Sequence, residues 1–292
     1  METNVERFLN NISIIEIESN SLCNRKCSYC INAHIYRRNE NEVLKEDAYK
    51  KLIDDLANIG YERTITFHRY NEPFLKKNNM ILFRIAYARK MLPKAKLVIS
   101  SNGDYLDAEY LDKIAASGLD ELYLQCHIEN YNSISMAEKK KIITELNSKI
   151  GKYQGKFIQR ETSIVFVTVK SPFKTLTIEI KDFKNDGFDR GGIITEMGEE
   201  DIIGGCFGPL TTMPIDYNGN VMICCNCVSY HKQHKKYVIG NIFDDNIVNI
   251  YNSALAKKIQ KKLYEGDRLD ICKKCVCNYY KYKKEYKIDY IV

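Results

Sequence analysis

Short apolar runs alternate with amphipathic stretches over the first two-thirds of the chain. Six runs predict β-strands: 12–19, 63–68, 95–100, 121–127, 162–169 and 191–195. Four stretches with apolar residues three and four apart predict helices: 45–59, 75–91, 107–116 and 133–150. Strands that alternate with helices indicate right-handed βαβ units around a parallel sheet. Because six strands are too few for a closed eight-stranded barrel, we expect an α/β fold, a partial (β/α)6 barrel of TIM type, with its chemistry at the carboxyl ends of the strands.

The pattern changes near residue 204. Gly204-Gly205-Cys206 opens a segment that holds seven of the eleven cysteines. Within it, Asn218-Gly219 predicts a type I′ hairpin, and a helix is expected over 246–265. We therefore expect two domains, a barrel over 1–203 and a small metal-stapled domain over 204–292.

Composition narrows the class of protein. The 292 residues are 45% hydrophobic and carry a formal net charge of +6, as in ordinary globular proteins. The sequence has no apolar run long enough for a membrane span and no export signal, so we expect a cytoplasmic protein whose thiols stay reduced. Basic runs such as 138–142 and 257–262 lie on predicted helices and fit solvated surface better than a nucleic-acid patch, so a nucleic-acid partner is not expected.

Cys23, Cys27 and Cys30 follow the first predicted strand directly, in the spacing C-x3-C-x2-C. Three thiolates do not complete a tetrahedral zinc site. They do leave one iron of a [4Fe–4S] cube free for another ligand. The alternative is a zinc site that borrows a distant His or Cys.

With Tyr29 as its aromatic position, the C-x3-C-x-(aromatic)-C pattern resembles that of the radical S-adenosylmethionine (SAM) superfamily. Two later segments agree in order: FHRYNEPFL (67–75) is similar to the family's Gly-Gly-Glu-Pro motif, and ISSNGDYL (99–106) is similar to its ribose- and carboxylate-binding segment. Tyr70 and Asn71 replace the two glycines of the first motif. Taken alone, the Ser-Asn-Gly-Asp run indicates a turn rather than a binding segment. In order with the other two motifs, the turn is the weaker interpretation. The resemblance implies these SAM-binding residues: Tyr29, Asn71, Glu72, Ser100 and Asn102.

This resemblance also implies the chemistry. In the family, the free iron binds the amino and carboxylate groups of SAM. One electron then splits SAM to give a 5′-deoxyadenosyl radical that removes hydrogen from an unactivated C–H bond. A flavodoxin- or ferredoxin-type protein is the expected electron donor.

The second cysteine set begins with Cys206, Gly219 and Cys224, in the spacing C-x12-G-x4-C. This spacing resembles the SPASM and twitch extensions of radical SAM enzymes. With Cys272 and Cys275 it implies the four ligands of one auxiliary [4Fe–4S] cluster, and hence two clusters per chain. A structural zinc ribbon is the alternative. Because four protein ligands leave no open iron, such a cluster carries electrons, which indicates a reaction with net redox change.

Similarity to cyclitol-oxidising members of the family extends over nearly the whole chain. It implies that Arg190 lies where a proton is lost. Glu16, whose side chain on the first strand alternates inward, is expected to face the substrate, and Tyr70 and His127, at the ends of the second and fourth predicted strands, are expected to line the pocket. For His127 alone, a buried structural histidine is an equal interpretation. The run Cys224-Cys225-Asn226-Cys227 departs from those members, so their substrate does not transfer. We expect a small-molecule substrate that is a polyol, a cyclitol or an amino sugar, oxidised to a ketone.

Two other radical SAM activities and one unrelated class remain open. An epimerase would return hydrogen from a thiol, and four cysteines are left for that role: Cys126, Cys225, Cys227 and Cys277. A peptide-modifying enzyme is also compatible with the motifs. A zinc-dependent nucleic-acid-binding protein is the alternative from another class.

Overall fold

The computed structural model describes residues 3–36, 42–129, 131–183, 187–198, 204–273 and 275. The strands are β1 Ile14–Ile17, β2 Thr64–Thr66, β3 Lys96–Ser101, β4 Glu121–Gln125, β5 Gly155–Gln159, β6 Ser163–Thr168, β7 Thr175–Lys181, β8 Thr212–Ile215, β9 Asn220–Met222 and β10 Val238–Asn241. The helices are α1 Asn4–Asn11, α2 Ile31–His34, α3 Glu46–Asn58, α4 Asn79–Met91, α5 Ala108–Ala116, α6 Met136–Ile150, α7 Gly208–Thr211, α8 Ile247–Tyr251 and α9 Ala254–Tyr264.

All ten of these strands form one sheet, in the order β10-β9-β8-β1-β2-β3-β4-β7-β6-β5. The six central strands, from β8 to β7, are parallel, and antiparallel pairs lie at both ends. In the middle of the sheet, Ile15 pairs with Ile65 on one side and Met213 on the other. The predicted α/β fold, a partial barrel of TIM type, is confirmed.

Helices cover the sheet because their apolar residues recur at helical spacing. On α3, Leu52, Ile53 and Leu56 are fully or almost fully buried, and burial of each such side chain is worth about 1.5–3 kcal/mol. The start of α6 is set by a capping box, in which Ser135 and Glu138 each accept the other's main-chain N–H.

Two of the six predicted barrel strands are assigned wrongly. Residues 162–169 do contain a strand, β6, but it runs antiparallel between β5 and β7. Residues 191–195 form no strand: Gly191 and Gly192 have φ of 66° and 83°, in the left-handed region, and a 3-10 helix follows at Thr195–Met197. The parallel positions belong instead to β7 and β8.

The C-terminal predictions also need correction. The hairpin at Asn218-Gly219 exists between β8 and β9, but Asn218 does not have the positive φ that a type I′ turn requires; only Gly219 does, at 76°. The Asp216 side chain instead accepts the N–H of Asn218 at 2.9 Å. The predicted helix over 246–265 is divided into α8 and α9, because Ser253 leaves the helical conformation and caps α9.

Strand β8 extends the sheet of the barrel, since Thr212 to Ile215 pair in register with Ile14 to Ile17 of β1. The expected domain boundary between residues 203 and 204 stays a prediction, and residues 199–203 lie outside the described part. No described helix is long and apolar enough to cross a membrane.

Candidate active site and auxiliary cysteine cavity

A pocket opens at the carboxyl ends of β1 to β4, where the loops after these strands meet. Its cavity volume is about 260 Å³ and it opens to solvent, as expected of a cleft that admits ligands from outside. All twelve residues predicted for cluster, SAM or substrate on this side line the pocket: Glu16, Cys23, Cys27, Tyr29, Cys30, Tyr70, Asn71, Glu72, Ser100, Asn102, His127 and Arg190. The structure thus brings them together; their individual roles stay predictions.

The loop that carries Cys23, Cys27 and Cys30 is pinned to its neighbours by Arg25. The guanidinium of Arg25 pairs with Asp104 at 2.5 Å and donates to the main-chain carbonyl of His127 at 2.9 Å. Arg25 therefore ties the loop of the three thiols to the segments that follow β3 and β4.

Glu72 connects two loops of the pocket rather than pointing a free carboxylate into it. Its two oxygens accept the Ser101 hydroxyl at 2.7 Å and the Asn102 N–H at 2.9 Å. Burial raises the pKa of Glu72, although these hydrogen bonds oppose the shift. Next to it, Asn71 is buried and its Nδ2 has no partner in the described structure. A buried donor without a partner is costly, so a ligand oxygen is expected here.

Aromatic rings form one wall of the pocket. Tyr29 stacks on Phe183 with ring centroids 4.8 Å apart, and the Tyr29 hydroxyl lies 3.1 Å from Nδ1 of His127. Burial lowers the pKa of His127 to about 4, so the ring is neutral at pH 7. A planar ligand group that packs against these rings would be shielded from water.

Charged groups form another part of the pocket lining. Glu16 lies 3.7 Å from Arg69, and its side chain is only 20% exposed. Burial raises the pKa of Glu16, while Arg69 and Arg190 oppose that shift. The ring of Tyr70 lies near both cations, with the guanidinium carbons of Arg69 and Arg190 5.5 Å and 5.6 Å from its centroid. The Tyr70 hydroxyl donates to the main-chain carbonyl of Cys225 at 2.9 Å.

Arg190 is held by a strained turn. Its φ is 51°, unusual for a side chain with a Cβ, and Gly191 follows with φ of 66°. Asp189 accepts the N–H of Gly192 at 2.9 Å, and the ring of buried His234 contacts the carbonyl of Gly191 at 2.8 Å. Strained residues at positive φ persist where surrounding contacts hold them, commonly at functional sites.

The pocket-lining residues that sequence reasoning missed include His68, Arg69 and Phe183. The first two lie inside the FHRYNEPFL segment, so their position after β2 was the available signal. Nδ1 of His68 accepts the N–H of Ser100 at 3.0 Å, which assigns its proton to Nε2. Burial lowers the pKa of His68 to about 4.

A second cavity lies beside the first and holds the other cysteine set. It is lined by the four predicted ligands and by one further cysteine: Cys206, Cys224, Cys272, Cys275 and Cys227. The N–H of Cys206 donates to the carbonyl of Leu263 at 2.7 Å. A Cβ on Gly205 would lie 2.5 Å from the carbonyl of Tyr264, so glycine is required where the chain enters the cavity.

The remaining cysteines separate by location. Cys225 lines the first pocket and Cys227 lines the second. Cys126 is packed in the hydrophobic core. Cys277 lies outside the described residues.

The donor sets suit clusters better than single metal ions. Within the described ranges, no three His, Cys, Asp or Glu side chains converge on a point where one ion could bind. A zinc ion needs its donors about 2.3 Å from one centre, whereas thiolates on a [4Fe–4S] cube bind separate irons and stand farther apart. Three thiols in the first cavity and five in the second therefore fit the two expected clusters.

Comparison with known proteins agrees with this geometry. Residues 17–143 match the model of the radical SAM superfamily, and residues 206–276 match the SPASM model, an iron-sulfur cluster-binding domain. The chain therefore contains a radical SAM domain and an iron-sulfur cluster-binding SPASM domain. The predicted cofactors, SAM and two [4Fe–4S] clusters, are confirmed with that assignment.

Individual radical SAM relatives are similar over most of their length. An S-adenosyl-L-methionine-dependent 2-deoxy-scyllo-inosamine dehydrogenase from Niallia circulans is 27% identical over 283 residues, which cover 96% of this chain and 98% of the relative. The crystal structure of BtrN in complex with AdoMet and 2-DOIA superposes with a TM-score of 0.63 at 24% identity, over 91% of this chain and 93% of that one. The structure of anSMEcpe with bound AdoMet has a TM-score of 0.52 at 14% identity, over 91% and 84%. The last two likenesses show the shared fold.

Proposed function

We propose that this protein is a radical SAM dehydrogenase that oxidises a secondary alcohol of a polyol, cyclitol or amino sugar to a ketone. One observation carries the proposal: the 224–227 loop contributes Cys225 to the first pocket and Cys224 to the second cavity. A substrate in the first pocket therefore lies against the segment that holds the electron acceptor. The similarity to an inosamine dehydrogenase supports the same substrate class.

The residues divide the work between two cofactor sites. Cys23, Cys27 and Cys30 would hold the first cluster; the second would be held by Cys206, Cys224, Cys272 and Cys275. When bound, SAM and the first cluster supply a 5′-deoxyadenosyl radical, and the auxiliary cluster accepts one electron. Asn71, with its unpartnered amide in the described structure, and the loop of Ser100 and Asn102 would orient SAM.

Glu16 and Arg190 would handle the substrate hydroxyl. The substrate carbon loses a hydrogen atom, and the remaining fragment then loses one electron and the hydroxyl proton to become a ketone. A guanidinium is already protonated at any working pH. We therefore assign the proton to the Glu16 carboxylate, and to Arg190 the stabilisation of charge on the oxygen.

A second candidate, epimerisation, is favoured by the position of Cys225 in the pocket. Its S–H bond would break to return a hydrogen atom to the substrate carbon, and the sulfur radical would take an electron from the auxiliary cluster and a proton from solvent. In this case the substrate would leave as an isomer.

Turnover in deuterated water, followed by mass spectrometry of the product, decides between the two. Dehydrogenation gives a product two mass units lighter than the substrate with no deuterium retained at the reacting carbon. Epimerisation gives an isomer that carries one deuterium and is abolished by Cys225→Ala. The test uses a panel of cyclitols and amino sugars; a deuterated isomer would overturn the dehydrogenase assignment.

The cysteine ligands indicate the cellular compartment and the kind of electron donor. None of the ten described cysteines forms a disulfide, and iron-sulfur clusters are bound by thiolates. We propose a reducing, cytoplasmic setting and a flavodoxin- or ferredoxin-type electron donor. Reduction of the clusters by purified flavodoxin, followed by electron paramagnetic resonance (EPR), tests the donor.

A further inference from the structure

Asn226 lies between the two cavities. It is only 3% exposed and lines the second cavity, the one that holds Cys206 and Cys224. Its Oδ1 accepts Nη1 of Arg190 at 3.0 Å, and its main-chain N–H donates to Sγ of Cys224 at 3.5 Å. One residue therefore contacts both the cation of the substrate pocket and a candidate ligand of the auxiliary cluster.

The other end of the Asn226 amide is unsatisfied. Nδ2 is buried and makes no hydrogen bond to any part of the chain that the structure describes. Leaving a buried donor without a partner costs about 1–3 kcal/mol, so an acceptor is expected in the cavity. The acceptors that a loaded cavity adds are sulfurs, either thiolate or inorganic sulfide.

We propose that Asn226 is a positioning residue that raises the reduction potential of the auxiliary cluster and holds Arg190 against the substrate. This inference rests on the proposed function, because it requires an auxiliary cluster that accepts an electron. Hydrogen bonds to cluster sulfur and nearby positive charge stabilise the reduced cluster, which is the more negative form. Asn226 supplies the hydrogen bond to sulfur through Nδ2. It holds the positive charge of Arg190 in place through Oδ1.

Proton loss and electron transfer are thereby linked through a single side chain. Arg190 stabilises negative charge on the substrate oxygen, and the same Asn226 amide that orients Arg190 makes the neighbouring cluster a better electron acceptor. An aspartate has the same shape but lacks the donor and adds a negative charge, so it should weaken electron acceptance while keeping the contact with Arg190.

The experiment measures the potential of the auxiliary cluster alone. Cys23, Cys27 and Cys30 are all replaced by Ala to remove the first cluster, and Asn226→Asp is added to that background. EPR-monitored redox titration should show at least a tenfold smaller reduced-to-oxidised ratio at a fixed potential, equivalent to about 59 mV for a one-electron couple. Asn226→Ala should shift the ratio in the same direction by less.

The matched control is Asn249→Asp, which adds the same charge at an exposed position on α8. It should leave the ratio unchanged. If the Asn226→Asp variant retains the cluster but its reduced-to-oxidised ratio changes by less than twofold, the inference is overturned. Should Asn226→Asp lose iron, Asn226→Ala is judged by the same twofold limit.

A second readout uses the full protein with both clusters. Asn226→Asp should cleave SAM at the normal rate but form at least tenfold less ketone per SAM cleaved; an unchanged product-to-SAM ratio counts against the inference. The two proposals fail separately. A reconstituted native protein with only about four irons refutes the auxiliary cluster, whereas about eight irons with an unmoved potential refutes only the role of Asn226.

Discussion

The guanidinium of Arg69 lies 3.7 Å from the carboxylate of Glu16, and the Arg69 side chain is almost fully buried. The same guanidinium donates to the main-chain carbonyls of Cys225 and Cys227, at 3.3 Å and 2.9 Å. Arg69 thus joins the candidate proton acceptor on β1 to the loop between the two cavities. Burial acts to lower the pKa of Arg69, but the nearby carboxylates of Glu18 and Glu16 together keep it raised.

Replacing Arg69 by Met should shift the pH dependence of turnover. Burial raises the pKa of Glu16, and Arg69 and Arg190 oppose the rise. Activity that requires the Glu16 carboxylate is lost as pH falls through this pKa. Loss of Arg69 raises the pKa further, so the acid limb of the pH profile should move to higher pH. Arg69→Lys keeps the charge and should leave the acid limb of the pH profile near its original position. If folded Arg69→Met protein shows no shift of that limb, Glu16 is ruled out as the proton acceptor.

The turn after Arg190 offers a matched pair of glycine substitutions. Gly191→Ala places a Cβ 2.9 Å from Nε2 of His234, whereas a Cβ on Gly192 meets nothing within 4 Å. Both have positive φ, so each should lose about 1–2 kcal/mol of stability. Only Gly191→Ala should also displace Arg190, with a loss of activity on the order of 100-fold. Thermal unfolding and turnover measure the two effects; equal activity in both variants would show that the placement of Arg190 is not limiting.

Iron analysis tests the assignment of the first cluster. The variant with Ala at Cys23, Cys27 and Cys30 should retain about four of about eight irons. It should not cleave SAM, because no iron with an open position remains. Chromatographic assay of 5′-deoxyadenosine measures the cleavage. Any cleavage by the triple variant would place the SAM-binding iron elsewhere.

Cys272→Ala should separate the two halves of the reaction. SAM cleavage should persist because the first cysteine set is intact, while ketone formation should fall at least tenfold for lack of an electron acceptor. Cys126→Ala is the control, since this buried thiol is in neither cavity lining and should keep about eight irons. Unchanged ketone yield in Cys272→Ala protein that lacks the second cluster would remove the need for an auxiliary acceptor.

The pocket could be predicted from sequence because its parts are local. Each motif comes directly after a strand, and the carboxyl ends of parallel strands meet at one edge of the sheet. Cys23, Glu72 and Asn102 are therefore brought together by three short segments, each recognisable alone.

Strand direction and long-range partners were not predictable in this way. The alternation of apolar and polar residues over 162–169 predicts a strand but does not indicate the direction of the neighbouring strands. The antiparallel pairing of β6 could therefore not be predicted from its own sequence. The run at 191–195 looked extended because its isoleucines are apolar, but the left-handed glycines before them break the strand. Arg69 contacts carbonyls 156 and 158 residues away, a relationship that exists only after folding.

The ladder between β1 and β8 has a consequence for the order of folding. Ser13 and Thr211, which flank this ladder, are hydrogen-bonded at 2.9 Å although 198 residues separate them in the chain. During synthesis one edge of β1 must therefore stay unpaired until β8 has emerged. Contacts this distant slow folding, and an open strand edge invites pairing with other chains. The protein should accordingly depend on chaperones early and refold slowly from denaturant, because the first cysteine loop is synthesised long before β8 completes the sheet around it.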